Sequence, residues 1–480
     1  MSCAIVNARI LPAWDGAFAT GAVLVEGGRI AGICGIAETE AMAARAREVF
    51  DAKGATLLPG LVNAHHHAYA TVLRGTENAL PLELWALFTV AFGRGLDERL
   101  LRLGILLGAA EMARAGVTCA IDHSPPVRHF RASHAAHLES GLRVAFAPFL
   151  HDRHDHDILG FALSDEMRAQ IEGAGFPDRA FVSSMFEELG SIDGGGRVRP
   201  LLGPNAPQRC SPDLLDLWAA LAASGGFGAH THLLETEAQA IACRREWPDG
   251  IVAHLDARGL LDARTSVAHG IWLTPAERDL LARRGTTVVH NPASNLMLGS
   301  GILPLADLEA RGVPLALGSD SANTGGTADM FELMRLATMI GRSGTDWRTW
   351  PRAETALRMA TEGGARAAGL VGRTGRIEPG YLADLIVLDL SGSAAAALEP
   401  NVEALVRHGG AHQVRATMVG GDWIYREGRI RSFDEEAVLS EFAQIRAAFL
   451  EERAQALGSA RNAMGFLAEQ LRKQRLPDVI

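Results

Sequence analysis

Lysine is nearly absent from this chain of 480 residues, occurring only at Lys53 and Lys473, so arginine carries nearly all the positive charge. An excess of basic groups is missing as well. The formal net charge is −10, with Lys+Arg 46 against Asp+Glu 56, so the chain has no surplus of cations to neutralise the phosphates of a nucleic acid or an anionic membrane. A small molecule is the expected partner. The five cysteines, Cys3, Cys34, Cys119, Cys210 and Cys243, show no CxxC or other close spacing. Neither a disulfide framework nor a cysteine zinc cluster is suggested, and they read as reduced, mostly buried thiols. No apolar run has the length that a bilayer requires, and the opening MSCAIVNARILPAWDG lacks a basic stretch followed by a long apolar segment. A cytoplasmic protein is expected. The glycine-rich SIDGGGRV (191–198) lacks the Gly-Lys-Ser/Thr ending of a phosphate-binding loop and reads as a turn.

With 48% hydrophobic and 21% charged residues, the chain has material for one large core and a smaller one, hence two folded units. Residues 1–58 alternate apolar and polar positions through AIVNARIL, AVLVEGGRIAGICG and ATLL, the pattern of a small antiparallel sheet. The same texture returns in GRIEPGYLADLIVLDL (375–390) and VRATMVGGDWIYREGRI (414–430). The two ends are expected to pair into a discontinuous small β-sandwich domain, 1–58 with 371–432. Between them, over 59–370, eight strand-like runs alternate with helical stretches: LLPGLVNAH, VTCAIDH, VAFAPFL, VRPLLGPN, FGAHTH, TSVAHG, TTVVHNP and VPLALGSD. Eight is the number that closes a TIM (β/α)8 barrel, so the fold class expected is α/β. Helices are expected at 97–115, 212–224, 235–247, 274–284 and 329–341, and the amphipathic 433–480 segment forms a helical extension packed on the barrel or on a second subunit of a homodimer or larger homo-oligomer.

Histidine or aspartate stands at the mouth of several of these runs: LVNAHHH (61–67), GAHTHLLE (228–235), SVAHG (266–270) and LALGSD (315–320). A strand sends alternate side chains to one face, so His65 and His67 project together while His66 faces away. His230 and His232 follow the same rule, with Glu235 three residues beyond and Asp320 closing the last run. Three histidines and one carboxylate suit a divalent ion with an open position for water. A lone strand-end histidine is more often structural. Four such termini at the catalytic rim of one barrel are hard to explain by packing alone.

The motifs PGLVNAHHHAYATVLRG (59–75), HTHLLET (230–236), SVAHGIWL (266–273), HNPASNLMLGSG (290–301), LALGSDSA (315–322) and GRIEPGYLADLIVLD (375–389) together resemble the amidohydrolase superfamily. The branch in question holds cytosine deaminase-like, S-adenosylhomocysteine deaminase-like and triazine hydrolase-like enzymes. The resemblance implies one divalent metal ion per chain, usually Zn2+ and sometimes Fe2+, held by His65, His67, His232 and Asp320. It also implies a catalytic group of Glu235, His269 and Asp320. Some superfamily members bridge two metals through a carboxylated lysine, which the empty stretch between Lys53 and Lys473 excludes. The implied reaction is hydrolytic deamination of an aminated N-heterocycle of purine, pterin, pyrimidine or triazine type, through an activated hydroxide and with release of ammonia. Asp320 takes the proton of water, Glu235 protonates a ring or amidine nitrogen, and His269 orients the hydroxide or stabilises the tetrahedral oxygen. The close alternative is hydrolysis of a carbon–halogen, amide, urea or carbamate bond at the same site. A third reading, an inactive scaffold, is opposed by the filled ligand positions.

The sequence departs from the pattern at several points. Asn205 stands in GPNAPQRCSP where adenosine-type deaminases commonly carry histidine, Met297 stands where a basic residue is often found, and the Asp320 loop reads SANTGGTAD. Candidate substrate-binding residues are therefore Trp85, His123, Asn205 and Asn295, with Trp85 a candidate for stacking on a flat ring. For Asp122 and His123 a catalytic role and a strand-end hydrogen-bonded pair are equally weighted, and Arg74 is equally a surface or loop-anchoring residue. The cluster HDRHDHD (151–157), with His151, His154 and His156, reads as a solvated loop in which only His151 is placed to reach the site.

Overall fold

The computed structural model describes residues 2–475 apart from 76–78, 94, 125–126, 173–174, 193, 343–344 and 393–400. The chain opens with five strands: β1 (Ser2–Ile10), β2 (Ala19–Glu26), β3 (Arg29–Gly35), β4 (Glu48–Asp51) and β5 (Thr56–Pro59). The first three form an antiparallel meander. The turn between β2 and β3 falls on Gly27 and Gly28, both at positive φ, as a two-residue hairpin demands. β4 and β5, however, pair with β1 in parallel. The expectation of a purely antiparallel sheet is corrected here. A short helix, Thr39–Ala43, carries the chain back across the sheet before β4, and such a crossover leaves a strand parallel to β1.

The middle of the chain supplies β6 (Leu61–His67), β7 (Val117–Ser124), β8 (Arg143–Leu150), β9 (Val198–Pro200), β10 (Gly203–Pro204), β11 (Ala229–Leu233), β12 (Thr265–His269), β13 (Thr287–His290), β14 (Leu315–Leu317) and β15 (Asp320–Ser321). They form two parallel sheets, one in the order β10-β8-β7-β6-β15 with β9 on β8, the other β11-β12-β13-β14. Every run expected as a barrel strand carries a strand, with three refinements. The first run divides at Gly60, with β5 in the small sheet and β6 in the parallel one. The fourth divides into β9 and β10, and the eighth into β14 and β15 around Gly318 and Ser319. A side chain at Gly318 would meet Asn291 Oδ1 at 2.5 Å and His65 Cβ at 2.8 Å, so only glycine lets this link pass so close to β6. Asn63 fastens the same link, donating to Ser319 Oγ at 2.7 Å and accepting from Ser319 N–H at 3.0 Å.

The five internal helices expected from periodicity are present as Glu98–Arg114, Pro212–Gly225, Glu237–Glu246, Pro275–Arg284 and Met330–Met339. Thr274 and Glu277 form a full capping box at the start of one of them. Glu235 precedes its helix, whose N-cap is Thr236.

The last strands, β16 (Leu385–Leu388), β17 (Val414–Val419), β18 (Asp422–Arg426) and β19 (Arg429–Ile430), return to the first ones. Together they make one mixed nine-stranded sheet, β19-β18-β17-β16-β5-β1-β2-β3 with β4 on β1, joined where β16 pairs antiparallel with β5. Ile5, Ile10, Leu57, Leu385, Val387 and Met418 form its fully buried apolar filling. One buried ion pair joins this sheet to the parallel one: Arg143 on β8 donates to both oxygens of Asp384 at 2.8 and 2.9 Å, and Gly420 N–H takes the remaining lone pair at 2.8 Å. Its hydrogen bonds are complete, the condition under which a buried pair is tolerated.

The C-terminal helix, Glu435–Arg475, packs along helices of its own chain. Val438 meets Leu103 and Leu106, Ala460 meets Phe88 and Ala91, and Leu467 and Leu471 meet Leu84, Leu159 and Phe161. Among the described residues no helix is long and apolar enough to cross a membrane.

Candidate active site

The ends of β6, β11, β12 and β15 converge on one buried cluster. His65, His67, Glu235, His269 and Asp320 are at most 6% exposed. Ligand-type atoms of His65, His67 and Asp320 lie within 4.8 Å of one another, as do those of Glu235, His269 and Asp320, and those of His65, His123 and His232. His67 Nε2 is 3.2 Å from Asp320 Oδ1 and 3.4 Å from His232 Nε2, and His65 Nε2 is 3.5 Å from Asp320 Oδ1.

The second nitrogen of each ring is already engaged. His67 Nδ1 donates to the His123 carbonyl at 2.5 Å, and His232 Nδ1 to the Asn205 carbonyl at 2.6 Å. A carbonyl is an acceptor only, so both rings carry their proton on Nδ1 and turn the Nε2 lone pair inward. His65 Nδ1 meets His230 Nε2 at 2.8 Å, and His230 Nδ1 meets Ser266 Oγ at 2.8 Å. His65 Nε2 is buried without any hydrogen-bond partner. A buried imidazole nitrogen left unpaired beside a carboxylate is costly unless a cation completes it. The donor set of three inward imidazoles and one carboxylate therefore fits a divalent ion of the zinc class. Asp320 is held from two sides, by Ser294 Oγ at 2.5 Å and Ser321 N–H at 2.7 Å.

Backbone strain marks the same strand ends. Leu234, His269 and Asp320 adopt φ of 45°, 72° and 62°, a conformation uncommon away from glycine. At His269 it points the ring at the carboxyls. Its Nδ1 lies 2.9 Å from Asn295 Oδ1, and its partnerless Nε2 lies 3.6 Å from Glu235 Oε2 and 3.8 Å from Asp320 Oδ2.

Burial pushes Glu235 up to about 7, with Asp320 adding to the rise and His269 opposing it. Asp320 is also buried, but the charge of the adjoining His65 and His67 rings holds it well below the ordinary carboxylate range. Burial lowers His65 to about 3 against the pull of Asp320. Two neighbouring carboxyls are thus driven apart, one toward the neutral acid and one toward the anion, the pattern of a paired acid and base.

A cavity of about 830 Å³ opens beside this cluster, with Tyr69, Glu83, Phe149, Asn205 and Arg209 among its lining. Phe149 stands edge-on to His123 at 4.1 Å and to His67 at 5.4 Å between ring centroids, which places the cavity's inner end against the histidines.

A model of the amidohydrolase family matches residues 56–424. The chain belongs to the amidohydrolase family. Among its relatives are the 5-methylthioadenosine/S-adenosylhomocysteine deaminase of Nitratidesulfovibrio vulgaris, 33% identical over 90% of this chain and 93% of that protein, and the 5'-deoxyadenosine deaminase of Methanothermobacter thermautotrophicus, 33% identical over 94% of this chain and 99% of that one. A solved adenosine deaminase from Xanthomonas campestris with bound zinc superposes with a TM-score of 0.82 at 28% identity, covering 94% of this chain and 98% of its own.

Within this amidohydrolase the remaining sequence candidates separate. Asn205 lines the cavity, and its Oδ1 accepts from Arg209 Nη1 at 2.6 Å. His123 stacks on His232 at 4.9 Å, with Nε2 on the Gly203 carbonyl at 3.2 Å and Nδ1 unpaired. Asn295 supports His269 and does not line the cavity. Trp85 is also off the cavity wall. It packs with Leu82 and Leu298, because its helix, Leu82–Gly93, turns that face inward. Asp122 pairs with His137 Nε2 at 2.7 Å and caps Ala68 N–H at 2.8 Å, the structural alternative of the two weighed. His66 faces away, with Nδ1 on the Asp320 carbonyl at 3.2 Å. Arg74 forms an ion pair with Glu111. Of the histidine-rich loop, His151, His154 and His156 all line the cavity; His156 is buried and the other two are half-buried, which corrects the expectation of a solvated loop with only His151 turned to the site.

Arg209 escaped sequence reasoning. It is largely buried and salt-bridged to Asp155, with Glu235 and Glu83 close enough to raise its basicity further. Arg209 and Asp155 are 54 residues apart, and no local pattern signals such a pair. Ser294 was also missed, although it lies inside the HNPASN motif.

Proposed function

We propose that this amidohydrolase is a metal-dependent deaminase that removes the amino group of an N-heterocycle of the adenine type and releases ammonia. The observation that carries the reading is Glu235, a fully buried carboxyl pushed up to about 7 beside an anionic Asp320, because deamination needs a proton donor for the ring at the same place as a base for water. The names of the two relatives and of the zinc-containing neighbour support the same reaction.

His65, His67, His232 and Asp320 would hold one ion per chain, and zinc is the ion we favour. When bound, such an ion polarises water and lowers its pKa toward neutrality. Asp320 accepts the proton of the attacking water. Glu235, pushed up to about 7 and so still substantially protonated near neutral pH, donates its proton to the ring nitrogen beside the attacked carbon and so makes that carbon more electrophilic. His269 has its Nδ1 on Asn295 Oδ1, which leaves Nε2 as an acceptor and favours orientation of the water over donation to a developing oxyanion. Arg209 is a donor only, so the oxygen of the Asn205 amide turns to it and the NH2 group faces the cavity, presenting a donor to an acceptor on the ring.

The same reading includes closure of the two parallel sheets into one eight-stranded barrel. A parallel bridge from Leu202 to Ala229 supports one seam, and the continuation of β14 through Gly318 into β15, which pairs with β6, supports the other. It also divides the chain into a sandwich-like unit (1–58 with 371–432), a catalytic unit (59–370) and the helical extension (433–480). A homo-oligomer belongs to the reading too, supported by Leu439, Leu450 and Phe466 exposed on the C-terminal helix and checked by light scattering.

Ammonia release from a panel of aminated heterocycles, on protein of measured metal content, tests the proposal. Ammonia from an adenine-type ring is the expected result. Metal-loaded protein that releases none from any ring sinks the deaminase reading and points to carbon–halogen, amide, urea or carbamate bonds.

A further inference from the structure

The following step rests on the deaminase reading and concerns the part of the substrate that does not react. The cavity of about 830 Å³ stands toward the upper end of the ~300–1,000 Å³ range of small-molecule sites. A reacting ring needs only its inner end, between Phe149, Asn205 and Arg209. Beyond that end the walls change character. Leu87 and Val90 of the helix Leu82–Gly93, Phe161 and Phe176, and Ala460 and Leu467 of the C-terminal helix are among its lining.

The charged groups that reach this outer chamber are largely satisfied within the protein. Arg209 is paired with Asp155, and Arg153 holds both oxygens of Glu246 at 2.7 and 3.0 Å. His151 is kept neutral by burial, at about 4, and sits edge-on to Phe176 at 5.1 Å, while His154 lies against the same ring at 4.6 Å. Arg128 is an exposed cation at the rim, with Nε directed to His129 Nε2 at 3.1 Å. Glu83 and Arg128 also line the cavity, but an ionised group placed among Leu87, Phe161, Phe176 and Leu467 would exchange its water for apolar side chains. An uncharged apolar group would gain there in proportion to the area it buries.

We propose that the outer chamber is a binding site for an uncharged, apolar substituent of the substrate, aromatic or branched, and that the C-terminal helix is thereby part of the substrate site. Helix residues some 390 positions beyond the first metal-ligand strand in sequence, Ala456 and Ala460, line the chamber together with Leu87 and Val90 and pack beside Leu87. The helix sets the length of tail that the site accepts.

The test uses three adenines that differ only at the nitrogen bearing the sugar in a nucleoside, carrying hydrogen, benzyl or carboxypropyl. kcat/KM for the benzyl compound is expected to exceed that of the bare ring by roughly 100-fold, and the carboxypropyl compound is expected to lie at least ~10-fold below the benzyl one. Val90→Trp and Ala456→Trp fill the chamber from the two helices that line it, so each is expected to cut the benzyl-to-bare ratio ~10-fold or more. Equal kcat/KM for bare and benzyl rings, a preference for the carboxylate, or a ratio untouched by both variants overturns the chamber while leaving the deaminase reading intact. No ammonia from any of the three defeats the deaminase reading for this ring. Calorimetric titration of the Glu235→Gln protein with the same compounds then decides the chamber separately: tighter binding of benzyl than of bare or carboxypropyl adenine supports it, and equal affinities overturn it.

Discussion

The inner cluster and the chamber of the cavity beside it are built on opposite principles. Around the ligand set each imidazole has its rear nitrogen fixed by a group on a strand or strand end, the Asn205 and His123 carbonyls or His230, and Asp320 is gripped from two sides. The chamber is lined by side chains from helices and loops far apart in sequence, and several of them are only half-buried. Precision is placed where atoms react, on the stiffest elements. Adaptable packing is placed where a tail must merely fit, so chemistry and specificity can change independently.

The largest effect that tests this contrast is removal of the ion. Chelation, or His232→Ala, is expected to take ammonia release to background and metal content to zero. Full activity with no metal would place the chemistry elsewhere. Glu235→Gln comes next, with kcat expected to fall ~10²–10⁴-fold at unchanged metal content, measured by steady-state kinetics together with elemental analysis.

The same variant carries a stability signature of opposite sign. Burial pushes Glu235 up to about 7 from an ordinary value of 4.5, so between those values the folded state keeps a proton that the unfolded state has released. Wild-type stability therefore falls as pH rises through this window. Glu235→Gln escapes the penalty, and its advantage is expected to grow across the window to about 3 kcal/mol and then level off. Thermal or urea unfolding of both proteins at equal metal content reads this directly, and a constant difference at all pH values would contradict it.

Smaller effects sharpen the border between the two regions. Ser294→Ala releases one oxygen of Asp320 and is expected to weaken metal affinity ~10–100-fold, read by competition with a chelating dye. Trp85→Phe alters a ring packed between Leu82 and Leu298 away from the cavity, and KM is expected to stay within about twofold. A large rise in KM would return Trp85 to the substrate site.

Much of the inner region was legible in the chain. Period-2 alternation placed His65 with His67 and turned His66 away, and the structure shows that separation. The strand ends carry their chemistry in short motifs because a strand delivers neighbours at fixed spacing. Asn295 was visible as a member of HNPASNLMLGSG, but its direction was not, since a helical side chain reaches whatever its helix happens to face. Arg209 with Asp155, the inward packing of Trp85, and the burial within the histidine-rich loop were hidden for the same reason.

By itself, then, the sequence determined the family, the strand-and-helix alternation of the catalytic part and the candidate ligands, because each of these is written in local periodicity and in motifs a few residues long. The tertiary structure alone decided which nitrogen of each histidine faces inward, that burial pushes Glu235 up while Asp320 beside it is held down, and that a helix at the far end of the chain lines the neighbouring cavity. Those are matters of burial, field and long-range packing. They arise only when segments hundreds of residues apart exclude water from the same small volume.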